Sequence, residues 1–244
     1  MPRFFVESVE SEFVEITGED ARHIALSLRM KNGEHLVLCD GKGREADAVI
    51  REAFPESVVL DIIERKDSAA EPKTEVILYQ ALPKFDKLEY IVQKSVELGV
   101  SKIVPVLTSR CISRPDEKTM KKKLERLRKI ADEAAKQSGR GKLPEVEEML
   151  TFKNAVLKMA KAETPVFFFE HATFPLSEVM AKHSGGTIAI MVGSEGGFSD
   201  EEAAFATEHG LLSTSLGPRI LRCETAPVAA LSAIMYAAGE MEIK

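Results

Sequence analysis

Short apolar runs dominate the first part of the chain. Arg3 to Val6, Phe13 to Thr17, His35 to Cys39, Ala46 to Ile50 and Ser57 to Ile63 are rich in β-branched or apolar residues, and their length predicts five strands. Asp40-Gly41-Lys42-Gly43 marks a loop between two of them, and Gly18-Glu19-Asp20 opens a helix expected to run to Leu28. Lys66 to Lys73 mixes small and charged residues with no apolar period, which predicts a linker between domains.

From Thr74 the period alternates between two and 3.6. Strands are predicted at Val76 to Leu82, Lys102 to Leu107, Pro165 to Phe169, Thr187 to Val192 and Leu211 to Leu216. Helices are predicted between and after them, at Asp86 to Leu98, Asp116 to Gln137, Phe152 to Ala162, Leu176 to Lys182, Asp200 to Glu208 and Ala226 to Ala238. This alternation argues for βαβ units around a mainly parallel sheet, hence an α/β domain over 74–244 preceded by a β-rich domain over 1–70.

Composition narrows the function classes. The chain has 244 residues, of which 44% are hydrophobic, enough for a real core, and its longest apolar stretches are too short to span a bilayer. The start Met1-Pro2-Arg3-Phe4-Phe5 lacks the long apolar core of a signal peptide, so a cytoplasmic location is expected. Cys39, Cys111 and Cys223 lie far apart without a CxxC pair or clustered histidines, against a disulfide framework or a metal site. The formal net charge of -6 conceals an asymmetry, because residues 110–142 hold 12 basic against five acidic side chains. That segment reads either as a solvated helix face or as a nucleic-acid surface.

Two loops carry the candidate chemistry. In Val192-Gly193-Ser194-Glu195-Gly196-Gly197-Phe198 an apolar strand ends, three glycines follow within five residues, and Ser199 with Glu202 forms a capping box for the next helix. Ligands of open parallel sheets bind at such strand ends, where glycine lets the backbone approach closely. The spacing matches neither a dinucleotide fingerprint nor a P-loop, and no Walker lysine or Ser-His-Asp order is present. The second loop, Leu216 to Ala226, holds an apolar pair, Ile220 and Leu221, flanked by Arg219, Arg222 and Glu224, with Thr225 as a candidate cap for the last helix. An apolar ligand face with an anion beside it suits this composition.

These residues resemble a known family. Gly193 to Phe198 is similar to GPEGGF and Leu216 to Ala226 to LGxRILRxETA, both of the ribosomal-RNA small-subunit methyltransferase E family of the SPOUT superfamily. Gln93 to Val100, Ala134 to Arg140, and Arg3 to Val6 with Leu28-Arg29 resemble its further signatures, so the likeness spans essentially the whole chain. Ser194 stands where the family usually has proline, Leu127 where tryptophan is common, and Pro2 where a second arginine is common.

The resemblance implies a PUA-like β-barrel followed by a SPOUT domain with a deep trefoil knot, which residue patterns alone would not have suggested. It implies a homodimer with no metal and no membrane, S-adenosylmethionine as methyl donor, and methylation of uridine N3 in 16S ribosomal RNA of the small subunit. Donor contacts would come from Phe169, Glu170 and His171, from Val192, Gly193, Glu195, Gly196 and Gly197, and from Leu216, Gly217, Ile220, Leu221, Arg222, Cys223, Thr225 and Ala226. Glu195 and Glu224 are candidate bases for the N3 proton, and Arg219 or Arg222 would stabilise the anion or hold a phosphate. RNA contacts are expected at Arg3, Arg29, Lys94, Arg110, Lys122, Lys123 and Arg140. Phe4 and Phe5 are expected in the core rather than as base-stacking rings.

Overall fold

The computed structural model describes residues 1–242, which divide into two compact units. One comprises Met1–Glu71 with Ala135–Leu143, and the other takes Pro72–Ala134 and the remainder of the chain from Pro144. The expected division into 1–70 and 74–244 is continuous in sequence, whereas these units are not. Residues 141–143 pair with the loop at Gly41 and Gly43, through Gly43 N–H to the Gly141 carbonyl and Leu143 N–H to the Gly41 carbonyl.

In the first unit, β1 (Arg3–Phe5), β2 (Phe13–Thr17), β3 (His35–Cys39), β4 (Arg44–Ala53) and β5 (Ser57–Asp67) form one sheet in the order β1-β3-β4-β5-β2. Only β1 and β3 pair in parallel, and β1 and β2 are the two edges. Phe4, Ile16, Ile24, Leu36, Leu38, Ile50 and Leu60 fill its core. The helix expected to reach Leu28 begins as α1 (Gly18–Arg22) and widens into a single π turn over His23–Ser27, closed by Leu28 N–H on the His23 carbonyl.

β5 runs through Asp67 and takes up the start of the expected linker. Its charged half, Glu64 to Asp67, has no apolar signal and is held instead by the ladder to β4, by Arg65 donating to the carbonyls of Val9, Glu10 and Ser11, and by Lys66 on Asp47 at 3.1 Å.

Two arginines expected on an RNA surface point inward here. Arg3 bonds Glu45 at 2.5 Å and the Cys39 sulfur at 2.8 Å. Arg140, 4% exposed, pairs with Glu71 at 3.0 Å. A guanidinium paired in this way is not offered to phosphate, so both are structural.

The second unit alternates β6 (Glu75–Ala81), α2 (Lys87–Glu97), β7 (Lys102–Leu107), α3 (Glu117–Ser138, its last turn counted with the first unit), β8 (Glu145–Val146), β9 (Leu150–Thr151), α4 (Phe152–Met159), β10 (Thr164–Phe168), α5 (Leu176–Lys182), β11 (Thr187–Val192), α6 (Asp200–Glu208), β12 (Leu212–Thr214) and α7 (Thr225–Ala237). The sheet order is β12-β10-β11-β6-β7-β8, with β9 also on β7, and every pairing is parallel. Ile188 to Val192 are buried without a break, as befits a strand covered on both faces. The carboxyl ends of β12, β10, β11 and β6 therefore lie along one edge. Among the described residues no helix is long and apolar enough to cross a membrane.

Three expectations in this unit change. β8 and β9, two residues each, were not foreseen, because they exist only through β7. The strand expected at Leu211 to Leu216 shrinks to β12, which frees Ser215 and Leu216 for the loop. Thr225 is the first residue of α7 rather than its cap; Glu224 holds the cap position and makes no side-chain capping bond.

Candidate active site

The strand ends carry a cavity of about 450 Å³, within the range of small-molecule sites. Three segments wall it: Phe168 to Thr173 after β10, Val192 to Phe198 after β11, and Thr214 to Ala226 after β12. Of the expected donor contacts, Phe169, Glu170, Val192, Gly193, Gly197, Leu216, Gly217, Ile220, Leu221, Cys223 and Ala226 are on the wall. Glu195, Gly196, Arg222, Thr225 and His171 are not, although each adjoins a wall residue. Arg219, expected as a catalytic cation, is on the wall. Ser194, within the expected Gly193 to Gly197 stretch, lines it as well, and so do Thr214, Ser215 and Pro175, which were not foreseen; the place of Thr214 and Ser215 at a strand end was the available signal.

The β11 loop is tied down from several sides. Gln80, wholly buried on β6, donates from Nε2 to the carbonyls of Ala81 at 3.0 Å and Gly193 at 3.2 Å. Arg110 reaches the Gly196 carbonyl from outside at 3.0 Å, so this residue, expected to meet RNA, braces the loop. Buried Glu202 closes the expected capping box with Ser199 and also accepts from Ser109 N–H at 2.7 Å, fixing the segment after β7 against α6. A Cβ on Gly193 would stand 3.2 Å from the Gly197 Cα, so the two arms of the turn approach more closely than most side chains tolerate.

Lys87, at the start of α2, escaped sequence reasoning. Its Nζ lies 3.0 Å from Glu195 and 3.1 Å from Glu224, with the Cys223 sulfur at 3.7 Å, so one ammonium joins the two candidate loops. Glu195 also accepts from Lys84 N–H at 3.2 Å. Burial pushes the Glu195 carboxyl up, but the Lys87 ammonium and backbone N–H groups outweigh it and hold it below the usual 4.5. Glu224 is held low in the same way, against burial, by the Cys223 thiol, a backbone N–H and Lys87. Hydrogen bonds to Glu195 and Glu224 raise Lys87 above its ordinary range. Burial, then Glu224, pushes the Cys223 thiol up to about 12, so it stays neutral and unreactive at physiological pH. The signal for Lys87 was its place just after the β6 end, on the same sheet edge as both loops.

Arg219 and Arg222 have no ion-pair partner among the described residues, and neither pairs with Glu224; both are exposed. Lys122 and Arg29 are exposed, Lys123 donates to the Phe85 carbonyl at 3.4 Å, and Lys94 pairs with Glu97. Phe4 is 3% exposed and belongs to the first unit's core. No cluster of metal-ligating side chains occurs among the described residues.

Lys87→Met should lower the affinity of this cavity for S-adenosylmethionine about tenfold by calorimetry, since two partly shielded ion pairs go at once. The low carboxylates make the tie complete above their usual range and lose it as pH falls through their lowered values. The raised Lys87 keeps it until pH rises through the raised ammonium value. Affinity should therefore be flat from about pH 5 to 10 in the wild type. Unchanged affinity in Lys87→Met would show that the tie does not shape the cavity.

Comparison with known proteins adds to this geometry. Residues 70–235 match the RNA methyltransferase domain family, and residues 16–63 match the RNA methyltransferase PUA domain. The chain is 36% identical to the ribosomal RNA small subunit methyltransferase E of Bacillus subtilis, covering 97% of this chain and 96% of that one. It is 33% identical to the protein of the same name from Synechocystis, covering 93% and 74%. The solved structure of the Neisseria gonorrhoeae ribosomal RNA small subunit methyltransferase E bound to S-adenosylmethionine superposes with a TM-score of 0.89 at 33% identity, over 97% of each chain.

Proposed function

The chain belongs to the ribosomal RNA small subunit methyltransferase E family, and from that premise we propose that it transfers the methyl group of S-adenosylmethionine to N3 of a uridine in 16S ribosomal RNA. The observation that carries this reading is the cavity at the ends of β10, β11 and β12, walled by the segments that hold the family motifs. Its chemistry fits the donor. Phe169, Leu216, Ile220 and Leu221 offer apolar faces for an adenine. The buried Ser194 hydroxyl on the wall has no hydrogen-bond partner among the described residues and can meet a polar atom of the donor.

S-adenosylmethionine supplies an activated methyl group for in-line displacement; the chain supplies alignment and charge stabilisation. Arg219 on the wall and Arg222 beside it are the cations assigned to the anion that forms over uracil O2 and O4. Glu195 and Glu224, ionised at neutral pH, are in acceptor form for the N3 proton, but their bonds to Lys87 weaken them as bases and make them anchors of the two loops. The proton then passes to water or, through it, to one of these carboxylates, and its loss depends on how well the arginines stabilise the uracil anion. Exposed Lys122 and Arg29, with Lys123, are the phosphate contacts retained from the sequence reading. The same reading includes the deep trefoil knot, a homodimer with the active site at the subunit interface, the assembled small subunit as substrate, and a cytoplasmic location.

Tritiated S-adenosylmethionine should label 16S RNA at a uridine, and Arg222→Ala should reduce the labelling rate about a hundredfold. Label on protein, or on a base other than uracil, would overturn the reading.

A further inference from the structure

Phe85 combines two unfavourable features. It is 81% exposed, and its backbone has a φ of +56°, a region that bulky side chains seldom occupy. Such outliers persist where the surroundings enforce them, and they concentrate at ligand sites. The enforcement is visible in the backbone on both flanks of the residue. Lys84 N–H is bonded to Glu195 in the β11 loop, and the Phe85 carbonyl accepts from Lys123 on α3. The backbone that carries the exposed ring is thus tied on one flank to the cavity-bearing loops and on the other to a helix whose exposed side carries Lys118, Lys121, Lys122 and Lys129.

We propose that Phe85 is a stacking platform for an unpaired base of the substrate RNA, next to the nucleotide that is methylated. A bare aromatic face takes any base, and the lysines of α3 supply cations for the flanking phosphates, the two components of single-strand recognition. The inference rests on RNA being the substrate, as proposed above. It assigns to an aromatic ring near the reacting end a contact that the basic residues alone do not provide.

The chain has no tryptophan, so Phe85→Trp places a single reporter at the platform. Titration with a single-stranded oligouridylate should quench its emission as the base stacks. Phe85→Gly, which fits the positive φ, should raise the melting temperature while weakening oligouridylate binding about tenfold, the scale of one lost stacking contact. Retained S-adenosylmethionine binding checks the fold of both variants.

If the wild type neither binds nor methylates RNA, the functional reading fails as a whole. If it does both, yet the tryptophan emission does not move and Phe85→Gly binds oligouridylate as the wild type does, the platform alone is refuted. A change of oligomeric state in Phe85→Gly by sedimentation would equally refute it, showing that the ring packs against a second copy of the chain.

Discussion

Glu71→Ala should destabilise the protein by about 3–5 kcal/mol, the scale for breaking a buried ion pair from one side. The Glu71 carboxylate does three jobs at once. One oxygen takes Arg140 Nη2 at 3.0 Å, and the other accepts from Arg140 Nε at 3.4 Å and from the N–H groups of Gly141 at 2.8 Å and Lys142 at 2.9 Å. The side chains are 9% and 5% exposed, so water replaces little of what is lost. The variant strips Arg140 of this carboxylate and releases two backbone donors, each a further penalty where burial is high. Thermal melting should fall by roughly 10 °C for a chain of this size. Glu71→Gln, whose amide oxygen can still accept from the backbone, should lose less. A loss below about 1 kcal/mol in Glu71→Ala would mean that the clasp is not a structural centre of the first unit.

Gly197→Val should lower S-adenosylmethionine affinity about a hundredfold or more while leaving far-ultraviolet circular dichroism unchanged. Gly197 has a φ of +61°, where a β-branched residue is strained, and its N–H closes the turn on the Ser194 carbonyl at 3.0 Å. A Cβ there would stand 3.1 Å from Glu170 Oε2 on the facing wall segment, and valine adds two methyl groups beyond it. Strain and crowding act together on the cavity, while the β11 ladder stays intact behind them. Calorimetry decides the matter. Affinity within about threefold of the wild type would show that the turn can open without cost to the ligand, well short of the strain expected.

Much of the fold was legible because its signals are local. Thr187 to Val192 is an unbroken apolar run and became β11 without adjustment, and Ser199 with Glu202 closed the capping box expected of them. What escaped was decided by partners distant in sequence. β8 and β9 are too short to signal themselves. The second half of β5 reads as a charged linker because its stabilisation comes from β4 and from carbonyls near Val9.

The site divides along the same line. Gly193, Gly197, Ile220 and Leu221 could be found because a glycine cluster and an apolar pair in a loop are visible in sequence, and they meet in one cavity. Lys87 looks like any lysine at a helix start; what distinguishes it, two carboxylates more than a hundred positions downstream, exists only after folding. Arg140 illustrates the converse. A run of basic residues has no mark for which member turns inward, and the partner that buries this one, Glu71, lay in what looked like a solvated linker.

That partnership also bears on how the chain is made. Glu71 and the backbone donor of Lys142 are 71 positions apart, and Gly41 and Gly43 likewise wait for residues 141–143. Domains generally fold as units, amino-terminal first, as a chain is synthesised. Here the first unit cannot finish when its own sheet has emerged, because its closing segment follows β6, α2, β7 and nearly all of α3. The nascent β1–β5 sheet must persist with its clasp open until that later stretch arrives. Completion of the amino-terminal half is thereby made conditional on synthesis of a helix that carries eight of the chain's 33 basic side chains.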